Sequence, residues 1–406
     1  MSTRTEASSL PDRLASHLDP VVQAATDGPL TGEGRVPGVV AGVTTDTETA
    51  YLSASGRRAL DTETSMTTDT VFGIFSTSKA ITATTALTLV DEGLLDLDAP
   101  ADTYLPELTD IQVIEGFDNA GNRILRPAAT VPTTRQLLTH TSGFGYAFYS
   151  DRYLRLAQDF EVPDIATCKR ASIQTPLLFD PGTDWMYGTG LDWTGLVIEA
   201  ITGQRLGDVM AERIFTPLGM SDTAFGVDNA ARERLTTLHH RRPDGSLKPN
   251  HRFAPIPDPE VHMGGHGLYS TVGDYLTFLR MWLRDGRADD GTQVVAVDTI
   301  ALASEDHLHP LTLRDLTTTM PPLSNDTKFL PEQSWSLAFA RDGVTAPTGR
   351  AAGSLSWAGL ANLYFWLDPH NKIAGYWAAQ VFPFADRVCF EHYQSFEAAV
   401  YRALKS

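Results

Sequence analysis

Runs with a two-residue hydrophobic period stand near both ends of this chain, and a long stretch of helical periodicity separates them. Near the N-terminus, Val39-Val40-Ala41-Gly42-Val43 and the loosely alternating residues 49–55 read as two strands of a hairpin. Near the C-terminus, Ser334-Trp335-Ser336-Leu337-Ala338-Phe339 alternates. Residues 353–360, 361–367 and 373–381 follow as three strand-like runs, with Asp368-Pro369-His370-Asn371 as a turn between two of them. Helices bracket both groups. Residues 10–27 place Leu14, Leu18, Val21, Val22 and Ala25 on one face, with Pro20 a candidate break, and residues 390–404 repeat Phe390, Tyr393, Phe396, Val400 and Leu404 at helical spacing. A sheet drawing strands from both ends leaves the middle of the chain as an insertion. The expected fold class is therefore α/β plus α: an antiparallel sheet flanked by helices, with a large, mostly helical insertion. The approximate domains are 1–75 with 290–406, and 76–289.

Within the insertion, residues 133–140 form a short amphipathic segment, and residues 191–202 carry Trp193, Leu196, Val197, Ala200 and Ile201 before a stop at Gly203. Thr271-Val272-Gly273-Asp274 reads as a capping box with aspartate in its last place, and the helix behind it buries Tyr275, Phe278, Leu279 and Trp282 up to Gly286. No internal repeat, low-complexity tract or clear linker interrupts the order.

At the junction of the two parts stands Phe75-Ser76-Thr77-Ser78-Lys79, which opens an alanine-rich apolar run over 80–95. Positions three apart share a helix face, so Lys79 stands one turn from the Ser76 hydroxyl. A serine hydroxyl needs a neighbouring base to attack at neutral pH, and a lysine in a dry cleft loses its proton more readily. The helix N-terminus adds positive potential and free N–H groups for a developing oxyanion. Serine and lysine at this spacing also occur on solvated helices, but no other lysine of the chain has a serine three residues before it.

Three further stretches have chemical potential. Tyr187, in the turn-rich stretch Asp180–Thr189, is either a packed loop aromatic or a phenol whose pKa the Lys79 charge lowers so that it shuttles the serine proton. Gly353-Ser354-Leu355-Ser356-Trp357-Ala358-Gly359-Leu360 is either a tightly packed core strand or one whose small residues admit a ligand. In the second case the Leu360 N–H pairs with that of Ser76 as an oxyanion hole, each donor lowering the barrier by about 3–4 kcal/mol. His262 and His266, four apart among glycines, lack the pattern of a metal pair and read as part of a backbone-dense cleft wall. His140 reads as a hydrogen-bonded structural residue rather than a base. There is no Gly-x-Ser-x-Gly elbow and no phosphate-binding glycine loop.

Composition narrows the partners. A net charge of −18 over 406 residues argues against nucleic acid and anionic membrane surfaces. Cys168 and Cys389, the only cysteines, define neither a disulfide framework nor a metal site. The polar N-terminus has no signal-peptide core and no window is long enough to span a bilayer, so a cytoplasmic location is expected.

Together these motifs resemble the serine β-lactamase and penicillin-binding-protein-like hydrolases. Within them the chain is most similar to family VIII carboxylesterases of the EstB type and to the lovastatin-side-chain acyltransferase. The resemblance runs from about residue 39 to 383, on Ser76-x-x-Lys79, Leu137-Leu138-Thr139-His140-Thr141-Ser142-Gly143, Phe179-x-Pro181-Gly182 leading to Tyr187, Pro217-Leu218-Gly219-Met220, residues 264–271 and Trp357-Ala358-Gly359. It implies the β-lactamase/DD-peptidase-like fold, Ser76 as nucleophile, and Lys79 with Tyr187 as the proton-transfer pair. Two departures stand out. Tyr187-Gly188-Thr189 replaces the Tyr-x-Asn of lactamases, and Trp357-Ala358-Gly359 replaces Lys-Thr-Gly. The lost lysine is the one that attracts a substrate carboxylate, and Trp357 supplies an apolar wall in its place.

The first reading is accordingly a serine carboxylesterase acting on small neutral acyl esters through a Ser76 acyl-enzyme, with Ser76, Leu360, Trp357, Ala358 and Gly359 around the reacting carbonyl. It uses no metal and no cofactor. The alternatives are an acyltransferase with an alcohol or amine acceptor, a β-lactamase or D-amino-acid peptidase, and an inactive binding protein on the same fold. Loops over 111–130 and 144–164 are expected to shape the pocket.

Overall fold

The computed structural model describes residues 9–28 and 34–406; the polar N-terminal stretch and part of the turn-rich 28–38 stretch lie outside the described residues. A single seven-stranded sheet runs Thr49–Gly56, Gly38–Thr45, Ile373–Ala378, Leu363–Asp368, Leu355–Gly359, Ala340–Arg341, Ser334–Trp335. All its pairings are antiparallel. The strands at the two ends of the chain meet in the register Val40↔Ala378 through Thr45↔Ile373.

Both faces of the central strands are covered, which is why Leu363–Asp368 and Ile373–Ala378 are buried at every position. Alternation then decides which helix each side chain meets. Val39, Ala41, Val43, Trp366 and Trp377 pack with Leu14, Leu18, Phe396 and Val400 of the two terminal helices. Val40, Phe365, Ala374 and Tyr376 face Tyr275, Leu276 and Leu279 of the helix Val272–Leu283. Pro20 lies inside the continuous helix Leu10–Ala24 and does not end it. Packing of Leu14, Leu18 and Val22 against the sheet outweighs the lost backbone donor.

The helix Ser78–Asp91 is buried nearly all round, so it has no polar face. Its threonines return their hydroxyls to backbone carbonyls: Thr84 Oγ1 donates to Ala80 O at 2.7 Å and Thr85 Oγ1 to Ile81 O at 2.8 Å. The helix Gly190–Thr202 packs on it and ends at Gly203, which takes the left-handed conformation at φ 69°. The Thr271 cap is present, with its hydroxyl accepting from Asp274 N at 3.2 Å. Asp274 does not complete the box, because its carboxylate turns to Asp222 N and Thr223 Oγ1, both at 2.8 Å.

Two sequence expectations fail here for local reasons. Residues 334–339 are not one strand. The Ser336 hydroxyl accepts from Ala338 N and Phe339 N, a side-chain turn that folds Ala340–Arg341 back onto Ser334–Trp335. Residues 112–127 are not an irregular loop but a hairpin, Gln112–Phe117 with Arg123–Pro127. Asp118 Oδ1 accepts from Ala120 N and Asn122 N at the bend.

Candidate active site

Ser76 sits on a 3-10 turn, Phe75–Thr77, that leads into the helix Ser78–Asp91. Phe75 is held at φ 46°, a conformation disfavoured by about 1–3 kcal/mol for a residue with a side chain. Its surroundings impose it. Ile74 N donates to Leu268 O at 3.0 Å, and Tyr275 Oη donates to Thr77 O at 2.9 Å. On the sheet side, a Cβ on Gly359 would lie 2.6 Å from Ile74 O. The small residue at the end of this strand therefore admits the serine turn's own backbone. The expectation that its smallness makes room for a ligand is corrected at Gly359.

Lys79 is almost fully buried, and its ammonium faces three oxygens. Nζ lies 3.2 Å from Ser76 Oγ, 2.9 Å from Tyr146 Oη and 2.8 Å from Gly265 O. None of these acceptors is a carboxylate. Burial lowers the lysine to about 7, against a smaller opposing effect of the Asp192 charge. A neutral amine has two N–H groups and one lone pair. Gly265 O can only accept and takes one N–H; Tyr146 Oη can take the other. The lone pair is then left for the Ser76 hydroxyl.

Tyr187 stands over the same nitrogen, with Lys79 Nζ 4.7 Å from its ring centre. Its hydroxyl accepts from Trp357 Nε1 at 3.0 Å and interacts with Ser76. The expected acidification of this phenol is overturned. Burial raises Tyr187 far above the ordinary phenol range, and the hydrogen bonds from Ser76 and Trp357 recover only part of the shift. Desolvation of a phenolate in an aromatic enclosure outweighs one nearby amine that is itself losing its charge.

Trp357 does more than wall the cleft, since it is the donor that orients Tyr187. His140 is buried with φ 59°, and its ring lies 4.7 Å from Tyr187 and 4.8 Å from Trp335. Burial, then the Lys79 charge, holds the imidazole far below its usual pKa, so it is neutral. Its Nδ1 accepts from Gly188 N at 3.4 Å, which ties the Tyr187 loop to the segment following helix Thr134–Leu138. A Cβ on Gly188 would meet Phe144 O at 2.3 Å, so only glycine fits beside Tyr187.

The cleft at Ser76 is walled by Phe148, Tyr149, Leu316, Trp357, Leu360 and Phe384, with Ala358 beside them. Leu360 is thus brought next to Ser76, at the turn after the strand Leu355–Gly359. Of the two loops expected to shape the pocket, 144–164 does so through Phe148 and Tyr149, whereas 111–130 contributes no lining residue. Residues 316, 327 and 384 take that place.

Tyr146 was not singled out from sequence, yet it is one of the three partners of Lys79. The signal is its position three residues past the Gly143 turn that ends Thr139-His140-Thr141-Ser142. Burial, then Asp192 and Tyr187, keeps its phenol well above the ordinary range. The His262 and His266 rings serve different neighbours. His262 Nδ1 accepts from Gly207 N at 3.0 Å and stacks on Phe225, while His266 faces Asp192. They do not converge on a common ligand position.

Comparison with known proteins bears on the fold and the family. A family model described as Beta-lactamase matches residues 16–399. A monacolin J acid methylbutanoyltransferase of Aspergillus terreus is 31% identical over 353 residues, covering 82% of this chain and 82% of that protein. A lovastatin esterase of Penicillium rubens is 29% identical over 410 residues, covering 95% of this chain and 98% of its own. Among solved structures, a mutant simvastatin synthase from Aspergillus terreus superimposes with a TM-score of 0.81 at 26% identity, over 100% of both chains. The antiparallel sheet with its helical insertion is therefore the fold that the sequence motifs implied.

Proposed function

This chain belongs to the beta-lactamase family, and from that premise we propose that it forms an acyl-enzyme at Ser76 and passes the acyl group to the hydroxyl of a small-molecule alcohol, with water as competing acceptor. The observation that supports this most directly is Lys79 Nζ at 3.2 Å from Ser76 Oγ, among neutral acceptors only. Neutral Lys79 takes the serine proton as Oγ attacks an acyl carbonyl. The proton on Lys79 then returns to the leaving oxygen by way of the Tyr187 hydroxyl, oriented by Trp357: Tyr187 gives up its own proton and takes the lysine's, so it ends as a phenol and Lys79 is neutral again. The N–H groups of Ser76 and Leu360 hold the oxyanion. The acceptor hydroxyl then attacks the acyl-enzyme, and its proton leaves along the same Lys79–Tyr187 route.

The residues lining the cleft are aromatic, aliphatic or hydroxyl-bearing, and none is cationic, which suits a neutral acyl group. That environment weighs against carboxylate-bearing β-lactams and peptides as primary substrates. The relatives named as methylbutanoyltransferases move the preference from hydrolysis, the first reading of the sequence, to transfer. The relative named as an esterase, which spans 95% of this chain, keeps hydrolysis as the second reading.

The test is intact mass after fluorophosphonate treatment, with turnover of a p-nitrophenyl ester in the presence and absence of a short alcohol. One adduct is expected on the parent chain and none on Ser76→Ala, which also loses turnover. Labelling or turnover that survives the substitution sinks the acyl-Ser76 mechanism. Alcohol that is converted to ester at the expense of free acid supports transfer; a product mixture that stays pure acid at every alcohol concentration leaves the esterase reading in its place.

A further inference from the structure

Beyond Gly265 stands a buried carboxylate that has no part in the acyl-transfer scheme. Asp192 lies in the first turn of the helix Gly190–Thr202, where the positive end of a helix favours negative charge. Its side chain is fully buried. Oδ1 accepts from Gly265 N at 2.8 Å, and Oδ2 makes no hydrogen bond. The same residue, Gly265, turns its carbonyl to Lys79 Nζ, also at 2.8 Å. Gly265 thus bridges carboxylate and amine with its own N–H and C=O. A Cβ there would lie 2.6 Å from Asp192 Oδ2, so the approach needs glycine. A second link runs through Tyr146, whose hydroxyl accepts from Lys79 at 2.9 Å and also interacts with Asp192. Both acceptors that leave the Lys79 lone pair to Ser76 are therefore tied to one carboxylate.

The other titratable groups here carry no negative charge. His140, Tyr146 and Tyr187 face Lys79 from three different segments, and burial keeps the imidazole neutral and both phenols protonated. On the carboxylate itself, His266 places Nδ1 at 3.7 Å from Oδ1, with Cys168 near the ring. Burial disfavours a charged His266, but Asp192, with Cys168, outweighs it. Among the described residues, Asp192 is the anion that acts on Lys79.

We propose that Asp192 is a positioning residue for Lys79, fixing the two acceptors of the amine through the N–H of Gly265 and the hydroxyl of Tyr146. A negative charge at that place also favours the ammonium over the amine, so Asp192 sets where Lys79 titrates as well as where it points. The inference rests on Lys79 as the base of the proposed acyl transfer.

The experiment compares the full chain with Asp192→Asn and Asp192→Ala. Lysine ε-carbons are labelled with carbon-13, and the Lys79 signal is the one absent from Lys79→Met. Asparagine keeps an oxygen for Gly265 N and loses the charge; alanine loses both. In both variants the Lys79 midpoint is expected to move down by about half a pH unit or more, a change limited because His266 gives up its proton with the carboxylate. The acid limb of kcat/KM for a p-nitrophenyl ester should move with it. Plateau kcat is expected to fall about threefold in Asp192→Asn and about tenfold further in Asp192→Ala, with KM little changed. A carboxylate of structural importance alone would change stability and leave the lysine midpoint in place. A midpoint that stays or rises in folded Asp192→Asn, or equal plateaus in the two variants, overturns the proposal. The midpoints are read in Ser76→Ala as well, so failure of the Ser76 mechanism and failure of this link show in different measurements. Should neither variant fold, the Gly265 amide nitrogen of the parent decides it: the signal is expected to titrate with the Lys79 midpoint, and one that does not respond overturns the link.

Discussion

Two buried cations sit in different parts of this molecule, and their surroundings are opposites. Arg350 lies near the C-terminal helix between two carboxylates, its Nε 2.6 Å from Asp342 and its Nη1 2.8 Å from Glu397. Burial alone disfavours its charge, but Glu397, Tyr393 and Asp342 outweigh that, and the guanidinium stays charged. Lys79 is as deeply buried and meets only a hydroxyl, a phenol and a carbonyl. Its charge has nothing to offset desolvation except the more distant Asp192. A buried cation with partners is a structural joint; one without them is poised to give up its proton. Position in the fold does not distinguish the two, and the first ring of neighbours does.

The largest effect is expected where the unpaired cation is removed. Lys79→Met should lower kcat/KM for ester substrates by about 10³–10⁴, read from steady-state turnover. The same variant should be more stable than the parent in acid. The folded lysine titrates at about 7 instead of 10.5, so the unfolded chain binds the extra proton between those values. Stability from this group therefore rises with pH across that window, and the penalty is complete below 7. Thermal melts should show Lys79→Met gaining up to about 4 kcal/mol at pH 6 and little at pH 10. A uniform gain at both would show that the lysine is not desolvated as described.

Removing the paired cation should do the reverse. Arg350→Met leaves Asp342 and Glu397 buried without their counter-charge and should cost about 3–5 kcal/mol of stability. The folded fraction should keep its turnover per active site, measured by fluorophosphonate titration. Equal loss of activity and stability would blur the distinction between the two sites.

A smaller effect is expected from pH alone. Below about 7 the Lys79 amine is increasingly protonated, so kcat/KM should fall about tenfold per pH unit there and level off above it. A profile flat from pH 5 to 8 would remove Lys79 as the base. The smallest change should come from Trp357→Phe, which deletes the 3.0 Å donor to Tyr187 while keeping an aromatic wall. Loss of one such bond should reduce turnover by about three- to tenfold, mainly in kcat, with KM little changed.

Much of the fold was legible because its signals are local. The central strands read as unbroken apolar runs since both their faces are covered, and Gly203 marked a helix end because only a left-handed residue closes it. The reversal at 336–339 was not legible. Alternation there is the same in a strand, and the Ser336 hydroxyl decided otherwise. The hairpin over 112–127 was missed because its bend uses the Asp118 side chain rather than a turn dipeptide of a familiar kind.

At the candidate site, sequence by itself determined which side chains could do chemistry: a serine and a lysine one turn apart, a tyrosine in a turn-rich loop, and tryptophan where the lactamase pattern has lysine. These are matters of residue type and spacing, which the chain carries wherever it folds. Only the tertiary structure decided their states. It brought Tyr146 from 67 residues away to Lys79 Nζ and turned Trp357 into a donor for Tyr187. It lowered the lysine and raised the phenol through the same cause, removal of water from both. Desolvation depends on what every other element covers, and no local pattern encodes that.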